Sequence, residues 1–543
     1  MVSVSSTYRA IVAIDFGTSG TGYAYAFATP GQELNPVTIF KNAPWPNTST
    51  TKTSTSILLK RNAKGKLETV EFGHTAVNTI QGMEEAERKT YIFLHNFKME
   101  LYKKDKPKSQ AIMITDDVAG VSIPAAEAVS ACLTYVKECA LKKIKDAGVT
   151  VTESEVLWVV TIPAIWPADS KDLMMKASKQ SGLKQESRPD MFRLVYEPEA
   201  ASMWFLSDPM YDVKTGDTYI LADLGGGTVD VSVHKVVAPL TVKEVSPCTG
   251  GPWGSTQIDC EFYENFEELV GKSAFDAFKK DSDWVEFQGS FEKQKMAFAG
   301  NNVITLRIPE ELRKAVVRGC ADFNKKYQTN YQVKGKQLIL TTSDSMKLFD
   351  PTIQKTVEHI ETLVKQNPNI TKIGDSILLG AVLAGHKPEQ IQEKLSAYSF
   401  GFASSPKFDP KQHLPKYKII IGGEERATPV AHWLVQYGDR VRGGGHTVDV
   451  KGFPVTKNQK QIRYEIYEGS NPAIKYLDHK DARLLGIIET EPMEYELLSK
   501  GVTLRLKFEV GNYMTANVID VNGNVKSARI SMVATDGLVA TTL

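Results

Sequence analysis

One short unit occurs twice in this chain, and few folds have a use for it twice. Near the N-terminus the apolar run IVAI leads into Asp15-Phe16-Gly17-Thr18-Ser19-Gly20 and then the alternating segment GYAYAF. At the centre, YILA leads into Asp223-Leu224-Gly225-Gly226-Gly227-Thr228, followed by VDVSVHKV. Each reads as strand, Asp-x-Gly turn with threonine, strand, and recurrence in both halves of a body points to duplicated lobes. Glycines let a backbone approach an anion closely and turn its N–H groups inward. Thr18, Ser19 and Thr228 carry hydroxyls that donate to phosphate oxygens. Asp15 and Asp223, at the strand ends, suit a hydrated Mg²⁺, which prefers oxygen and keeps several waters. Facing each other, two such hairpins would grip one polyphosphate from both sides. Singly, each could be an ordinary glycine-rich turn; the matching order of Asp, Gly and Thr argues for a shared role. Neither is a GxxxxGK[ST] loop. Neither is a dinucleotide fingerprint, because the residues after the glycines alternate with strand period.

The rest of the chain bounds what can surround these hairpins. At about 150 residues per domain, 543 residues make three or four units, or two large lobes. With 42% hydrophobic and 24% charged residues, a disordered or collagen-like chain is excluded. Sixty-five Lys+Arg against 64 Asp+Glu argue against a protein that coats nucleic acid or an anionic membrane. Cys132, Cys139, Cys248, Cys260 and Cys320 are too scattered for a disulfide framework, and none forms a CxxC pair. The N-terminus lacks an apolar signal core. The apolar runs 156–162 and 377–384 fall short of the ~18 residues of a spanning helix. The expectation is a protein of the reducing cytosol without a membrane span.

Strand and helix patterns alternate over about the first 390 residues. Strands are expected at 10–14, 156–162, 192–195 and 218–222. Helices are expected at 124–145, 170–181, 199–205, 260–269, 284–299, 309–327 and 344–366. This is an α/β body. After Pro388 the texture changes. Short alternating strands read at 417–421, 461–468, 502–510 and 515–521, with Asn522-Gly523 as a two-residue hairpin turn. A linker at 389–416, holding Pro406, Pro410 and Pro415, then leads into a smaller all-β unit over 417–543. The run NTSTTKTSTS (47–56) reads as a mobile surface loop, and the glycines 443–445 read as a hairpin turn rather than a phosphate loop.

The hairpins resemble the phosphate-1 and phosphate-2 motifs of the actin, sugar-kinase and DnaK-type heat-shock superfamily. Three further stretches are similar to the heat-shock side of it: WVVTIPAIWPADSKDLMMKASKQSGL (158–183), RLVYEPEAASMWF (193–205) and TGGPWGSTQID (249–259). FLHNFKMELY (93–102), with no helical lid pattern at the C-terminal end, resembles the divergent heat-shock 70 kDa 12A/12B branch. The likeness is strong over about 8–385 and weak beyond. It implies a two-lobed, actin-like body of ribonuclease-H-like cores at 1–388, lobe I about 8–200 and lobe II about 215–388, with the nucleotide in the cleft.

Carried over by position, the resemblance makes Asp15, Gly17, Thr18 and Ser19 the first phosphate hairpin, and Asp223, Gly225, Gly226, Gly227 and Thr228 the second. Asp15 and Asp223 would hold Mg²⁺ through water. Lys98 matches the lysine that reaches the terminal phosphate. Glu197 and Asp230 match acids that order metal-bound and attacking water, and Glu292 and Lys295 match adenosine contacts. Each has a plainer competitor. Lys98 could be a solvated charge, Glu197 a helix-start acid, and Glu292 with Lys295 a surface ion pair, the reading favoured for that last pair.

Two departures touch the adenine side. Family members place a strand, a Gly-Gly turn, a helix and another strand before the helix that begins near Asp375. Here the helix ending at 366 is followed only by 367–372, too short for a crossover unit, so this segment is shortened near 366–375. The strand-Gly-Gly stretch IIIGG (419–423) lies on the wrong side and is a decoy. Met296 stands where the family commonly has an arginine that stacks on adenine. The resemblance therefore implies an ATP/ADP-binding, heat-shock-like protein, weakly hydrolysing ATP with Mg²⁺ and meeting protein clients through its β unit. The alternatives are a nucleotide-impaired scaffold and, less favoured, a small-molecule kinase.

Overall fold

A computed structural model describes residues 8–28, 39–41, 45, 51–101, 112–116, 119–207, 211–281, 283–374, 391–396, 398–442, 446–471, 473–508 and 514–530. The β-branched runs make the middle of a mixed sheet. β1 (Ala10–Phe16) and β2 (Gly20–Phe27) form the first hairpin, and β3 (Phe40–Lys41) and β4 (Lys52–Ser54) pair with β2. β5 (Val156–Ile162) and β6 (Phe192–Tyr196) add in parallel beyond β1, giving the order β6-β5-β1-β2-β3. Val12, Ile14 and Phe16 face one core with Trp158, Val160 and residues of α1 (Ala125–Asp146) and α2 (Ala168–Gln180). Ile11 and Ala13 alternate onto the other face. Burial on both faces explains why these strands read as unbroken apolar runs rather than as alternating ones.

The second sheet repeats the plan. It contains β7 (Thr218–Leu224), β8 (Val229–Ala238), β9 (Thr241–Gly251), β10 (Ile370–Gly374), β11 (Ile391–Leu395) and β12 (Arg440–Arg442), in the order β10-β7-β8-β9-β11-β12. β7 pairs antiparallel with β8 and parallel with β10, as β1 does with β2 and β5. α3 (Glu197–Ser207) lies between the sheets: its Ala200, Met203 and Phe205 share a core with Ile11 and Ala13 on one side and Tyr219 and Leu221 on the other. Ile220 and Ala222, on the far face of β7, pack with Leu363 of the later helix Thr342–Gln366. Between them in sequence, α4 (Thr256–Val270) and α5 (Asp283–Met296) join in an aromatic core where the Phe262 and Phe291 rings stack 4.0 Å apart. We call Thr342–Gln366 α6; the Thr341 hydroxyl caps it by accepting from the Asp344 N–H at 3.2 Å.

Toward the C-terminus, two further four-stranded sheets share a core that includes Phe400, Tyr464, Ile466, Leu504 and Val518. One helical turn, Tyr495–Leu498, stands among their strands. Arg483 reaches from this region to Asp169 of α2 at 2.6 Å and to Glu468 at 2.8 Å. Among the described residues no helix is long and apolar enough to cross a membrane, and all five cysteines are free.

Four sequence expectations need correction. The run 47–56 is not a surface loop over its described half: Lys52–Ser54 is a strand, Ser56 opens another, and Thr55 and Ser56 are fully buried. Residues 389–416 hold two strands, β11 and Ser399–Ser404, so the linker reading fails there; backbone pairing overrides the prolines that flank them. The segment after α6 opens with a strand, β10, where the sequence reading placed no element; the residues that follow it, 375–390, lie outside the described ones. The loop after Ile519 runs over 520–524 rather than two residues, because Asp520 accepts from the N–H groups of Asn522 and Asn524. The IIIGG stretch is the decoy expected, a hairpin of Lys418–Ile421 with Glu424–Ala427 turned by Gly422 and Gly423 at φ 61° and 84°. The glycines 443–445 and the stretch 375–385 lie outside the described residues.

Candidate functional site

The two hairpins carry their carboxylates at matched positions. Asp15 stands opposite Gly22 and Asp223 opposite Asp230, each one step before the turn. Gly17 is needed because a side chain there would meet the Gly20 carbonyl at 2.4 Å. The turns face each other in direct contact. A Cβ on Gly226 would lie 2.3 Å from Ser19 Oγ, and one on Gly227 2.5 Å from Thr18 Oγ1 and 2.1 Å from Met99 Sδ. The start of α4 takes the carbonyls of the second turn: the N–H groups of Gly254, Ser255 and Thr256 donate to Gly227, Gly225 and Gly226 at 3.2, 3.1 and 2.8 Å. Those carbonyls therefore point away from the first hairpin.

Charge collects where the hairpins meet. Lys98 is 3% exposed; its Nζ lies 3.2 Å from Glu197 Oε1 and 4.9 Å from the centre of the Trp166 ring. That burial removes the solvated-charge reading of Lys98. Glu197 is the first residue of α3, as a helix-start acid would be, but it is buried and points at the lysine. Burial raises its carboxyl to about 7, against the pull of Lys98 and with the help of Asp15 and Asp230. Asp223 is pushed well above the carboxylate range by burial, then by Glu197, Asp230 and Asp15. Asp230, fully buried, is likewise raised by burial, while the Ile165 N–H donates to its Oδ1 at 3.0 Å. Asp15 is the exception. Burial acts to raise it too, but Lys52, Lys98 and Thr161 outweigh that and hold it low.

The site therefore holds four carboxylates, three of them raised, and two lysines. Asp15, Asp223, Glu197 and Asp230 fit a hydrated cation, and Lys98 with the hydroxyls of Thr18, Ser19 and Thr228 fits an anion beside it. Buried Ser19 Oγ has no hydrogen-bond partner, as suits a donor awaiting an acceptor. Among the described residues no three His, Cys, Asp or Glu side chains gather closely enough to hold a metal directly.

The adenosine-side residues sit differently. Lys295 is buried, with Asp259 oxygens at 2.8 Å and Glu292 Oε2 at 2.5 Å, so its ion pair with Glu292 is not a surface one. It also donates to the Ser255 carbonyl at 3.3 Å, which places it behind the second hairpin. Met296 is 79% exposed. A cavity of about 550 Å³, lined by Gly216, Thr218, Lys243, Asn367 and Arg440, opens at the start of β7, the opposite end from Asp223.

Sequence reasoning missed Lys52, Thr55, Thr161 and Asp259. Lys52 Nζ lies 2.5 Å from Asp15 Oδ2, and the Thr161 hydroxyl donates to Asp15 Oδ1 at 3.0 Å. The only hint of Lys52 was its being the one charged residue in the run 47–56.

Comparison with known proteins agrees with this geometry. A family model described as Hsp70 protein matches residues 76–328. Heat shock 70 kDa protein 12A of Mus musculus is 26% identical, over 90% of this chain and 86% of that protein. Heat shock 70 kDa protein 12B of Homo sapiens is 23% identical, over 90% and 84%. Chaperone protein DnaK of Psychrobacter cryohalolentis is 27% identical over 50% of this chain and 38% of its own length. With duplicated hairpins, a buried Lys98–Glu197 pair and relatives that run nearly end to end, the chain is similar to the Hsp70 proteins, and over most of its length to heat shock 70 kDa proteins 12A and 12B.

Proposed function

We propose that this protein binds ATP and ADP with Mg²⁺ between its two hairpins and hydrolyses ATP slowly. In this reading 1–388 is a two-lobed actin-like body, and the strands from Ser399 onward form a β-rich unit that meets protein clients. The observation that carries it is the direct facing of two glycine turns over a cluster of four acids and two lysines. Backbone N–H groups of the turns and the hydroxyls of Thr18, Ser19 and Thr228 hold phosphate oxygens. Lys98 brings its charge to the terminal phosphate, where negative charge builds as the bond breaks. Glu197, with its carboxyl near 7, exchanges protons with the attacking water close to neutrality. Asp15, Asp223 and Asp230 fix waters around the cation position. Mg²⁺ bound there supplies charge neutralisation on the phosphates.

Lys98→Ala tests the chemistry. Phosphate release from ATP is expected to fall about 100-fold or more, by analogy with loss of a transition-state donor. The melting temperature changes little, because Glu197, relieved of its lysine, takes up a proton instead of remaining a bare buried charge. Release unchanged by this substitution removes Lys98 from the reaction.

A second reading, a nucleotide-impaired scaffold, rests on the adenine side. Met296 offers no fork of donors, and β10 ends its sheet among the described residues. α6 also exposes Met346, Ile353, Val357 and Val364, apolar residues of the kind a packed helix would cover. An Asp15→Asn, Asp223→Asn double variant that keeps full partner binding favours the scaffold; loss of that binding favours the ATP-driven protein.

A further inference from the structure

The two hairpins differ at one matched position. Opposite Asp223 stands Asp230, while opposite Asp15 stands Gly22. On the other side of Gly22 the next strand, β4, brings Lys52 into register. Directly opposed residues on antiparallel strands share a face, so Asp15, Gly22 and Lys52 form one cross-strand row. Its ends are two strand spacings apart, about 10 Å. The glycine leaves that face open, and the lysine stem lies across it to put Nζ 2.5 Å from Asp15 Oδ2. The stem also passes Gly20, where a side chain would meet Lys52 Cβ at 3.5 Å and Cδ at 3.8 Å. Thr161 holds the other oxygen of Asp15 at 3.0 Å. Both oxygens of this carboxylate are therefore engaged by the chain itself.

We propose that Lys52 is a built-in counter-ion for the cation position: it neutralises Asp15 while Mg²⁺ is away and must leave that carboxylate before the hydrated metal can use it. The identity of the metal rests on the nucleotide-binding reading above. An ammonium and a hydrated divalent ion ask for the same oxygen, and only one fits at a time. Metal arriving alone only replaces a positive charge that Lys52 already supplies to Asp15, so it gains little. Metal arriving with a polyphosphate gives the displaced ammonium new oxygen partners in the same cleft. Lys52 thus makes the site respond to the metal–phosphate pair and ignore the bare ion.

The test uses the full chain, MgCl₂ and EDTA, without nucleotide, and reads thermal unfolding. Wild type and Lys52→Arg are expected to melt at a temperature that millimolar Mg²⁺ does not move. Lys52→Met keeps the stem and loses the charge; it is expected to melt several degrees lower in EDTA and to recover in Mg²⁺. Adding Asp15→Asn to Lys52→Met is expected to abolish that recovery. If Lys52→Met folds only when prepared in Mg²⁺, unfolding on chelation supports the exchange and persistence of the fold overturns it. A Lys52→Met protein indifferent to Mg²⁺, or a wild type stabilised by Mg²⁺ alone as much as the variant, also overturns it. Because no nucleotide enters the assay, Mg²⁺ rescue of Lys52→Met alongside absent ATP binding retires the nucleotide reading and leaves the exchange standing.

Discussion

Glu197 and Gly254 carry the sharpest consequences at the scale of single residues. A carboxyl raised to about 7 in the folded chain binds its proton more tightly there than in the unfolded one. Between pH 4.5 and 7 the unfolded carboxyl ionises while the folded one does not, so stability falls as pH rises across that window. The loss is on the order of 3 kcal/mol, complete above the folded value and absent below the unfolded one. Asp15, held low, acts with the opposite sign: its contribution is present above the unfolded value and is lost as pH falls through the folded one. Urea unfolding of the nucleotide-free protein across pH 4.5–7.5 is expected to show a flatter profile for Glu197→Gln than for wild type. Gly254 has no such electrostatic role. A Cβ there would lie 2.4 Å from the Gly226 carbonyl oxygen and 2.5 Å from backbone carbons of Gly226 and Gly227. Backbone cannot rotate aside as a side chain can, so Gly254→Ala is expected to cost about 1–3 kcal/mol by the same urea measurement. The same substitution is expected to weaken ATP binding by displacing the second turn.

At the scale of elements, the stretch Lys52–Ser56, buried from Thr53 onward, braces the first hairpin. The Thr55 hydroxyl donates to the Gly17 carbonyl at 2.7 Å and lies 2.8 Å from the Thr21 hydroxyl, while its N–H donates to the Ser19 carbonyl at 3.3 Å. Thr55→Val keeps the shape and leaves the Gly17 carbonyl without its hydroxyl donor, so unfolding free energy is expected to drop by about 1–3 kcal/mol. This brace is also where sequence reading failed. The strands β1, β5 and β7 were legible because both their faces are covered and each carries an unbroken apolar run, such as Ala10–Ile14 and Val156–Val160. Residues 52–56 have the composition of a loop. Thr53–Ser56 are nonetheless buried, because their hydroxyls satisfy one another and neighbouring backbone, as Ser54 and Ser56 do at 2.7 Å. Hydropathy does not register such pairing. The hairpins themselves, by contrast, were legible as chemistry, since Asp, Gly and Thr recur in matched order. The lysine between them was not, because its reach depends on a register across three strands.

At the scale of the whole molecule, the parts are tied across long stretches of sequence. β11 extends the second sheet from beyond residue 390, with the Leu395 N–H donating to Glu244 Oε2 at 2.6 Å. Arg483 links the C-terminal strands to α2 through Asp169. In the proposed function, a change in the spacing of the two hairpins would reach the β-rich region through these two attachments. All of this depends on the hairpins closing on one phosphate chain. Isothermal titration calorimetry of the purified chain with ATP and with ADP, in Mg²⁺, measures that most directly. Saturable binding of both, abolished in the Asp15→Asn, Asp223→Asn double variant while that variant stays folded, is the expected result. No heat from either nucleotide at millimolar concentration, with the wild type folded, would contradict it.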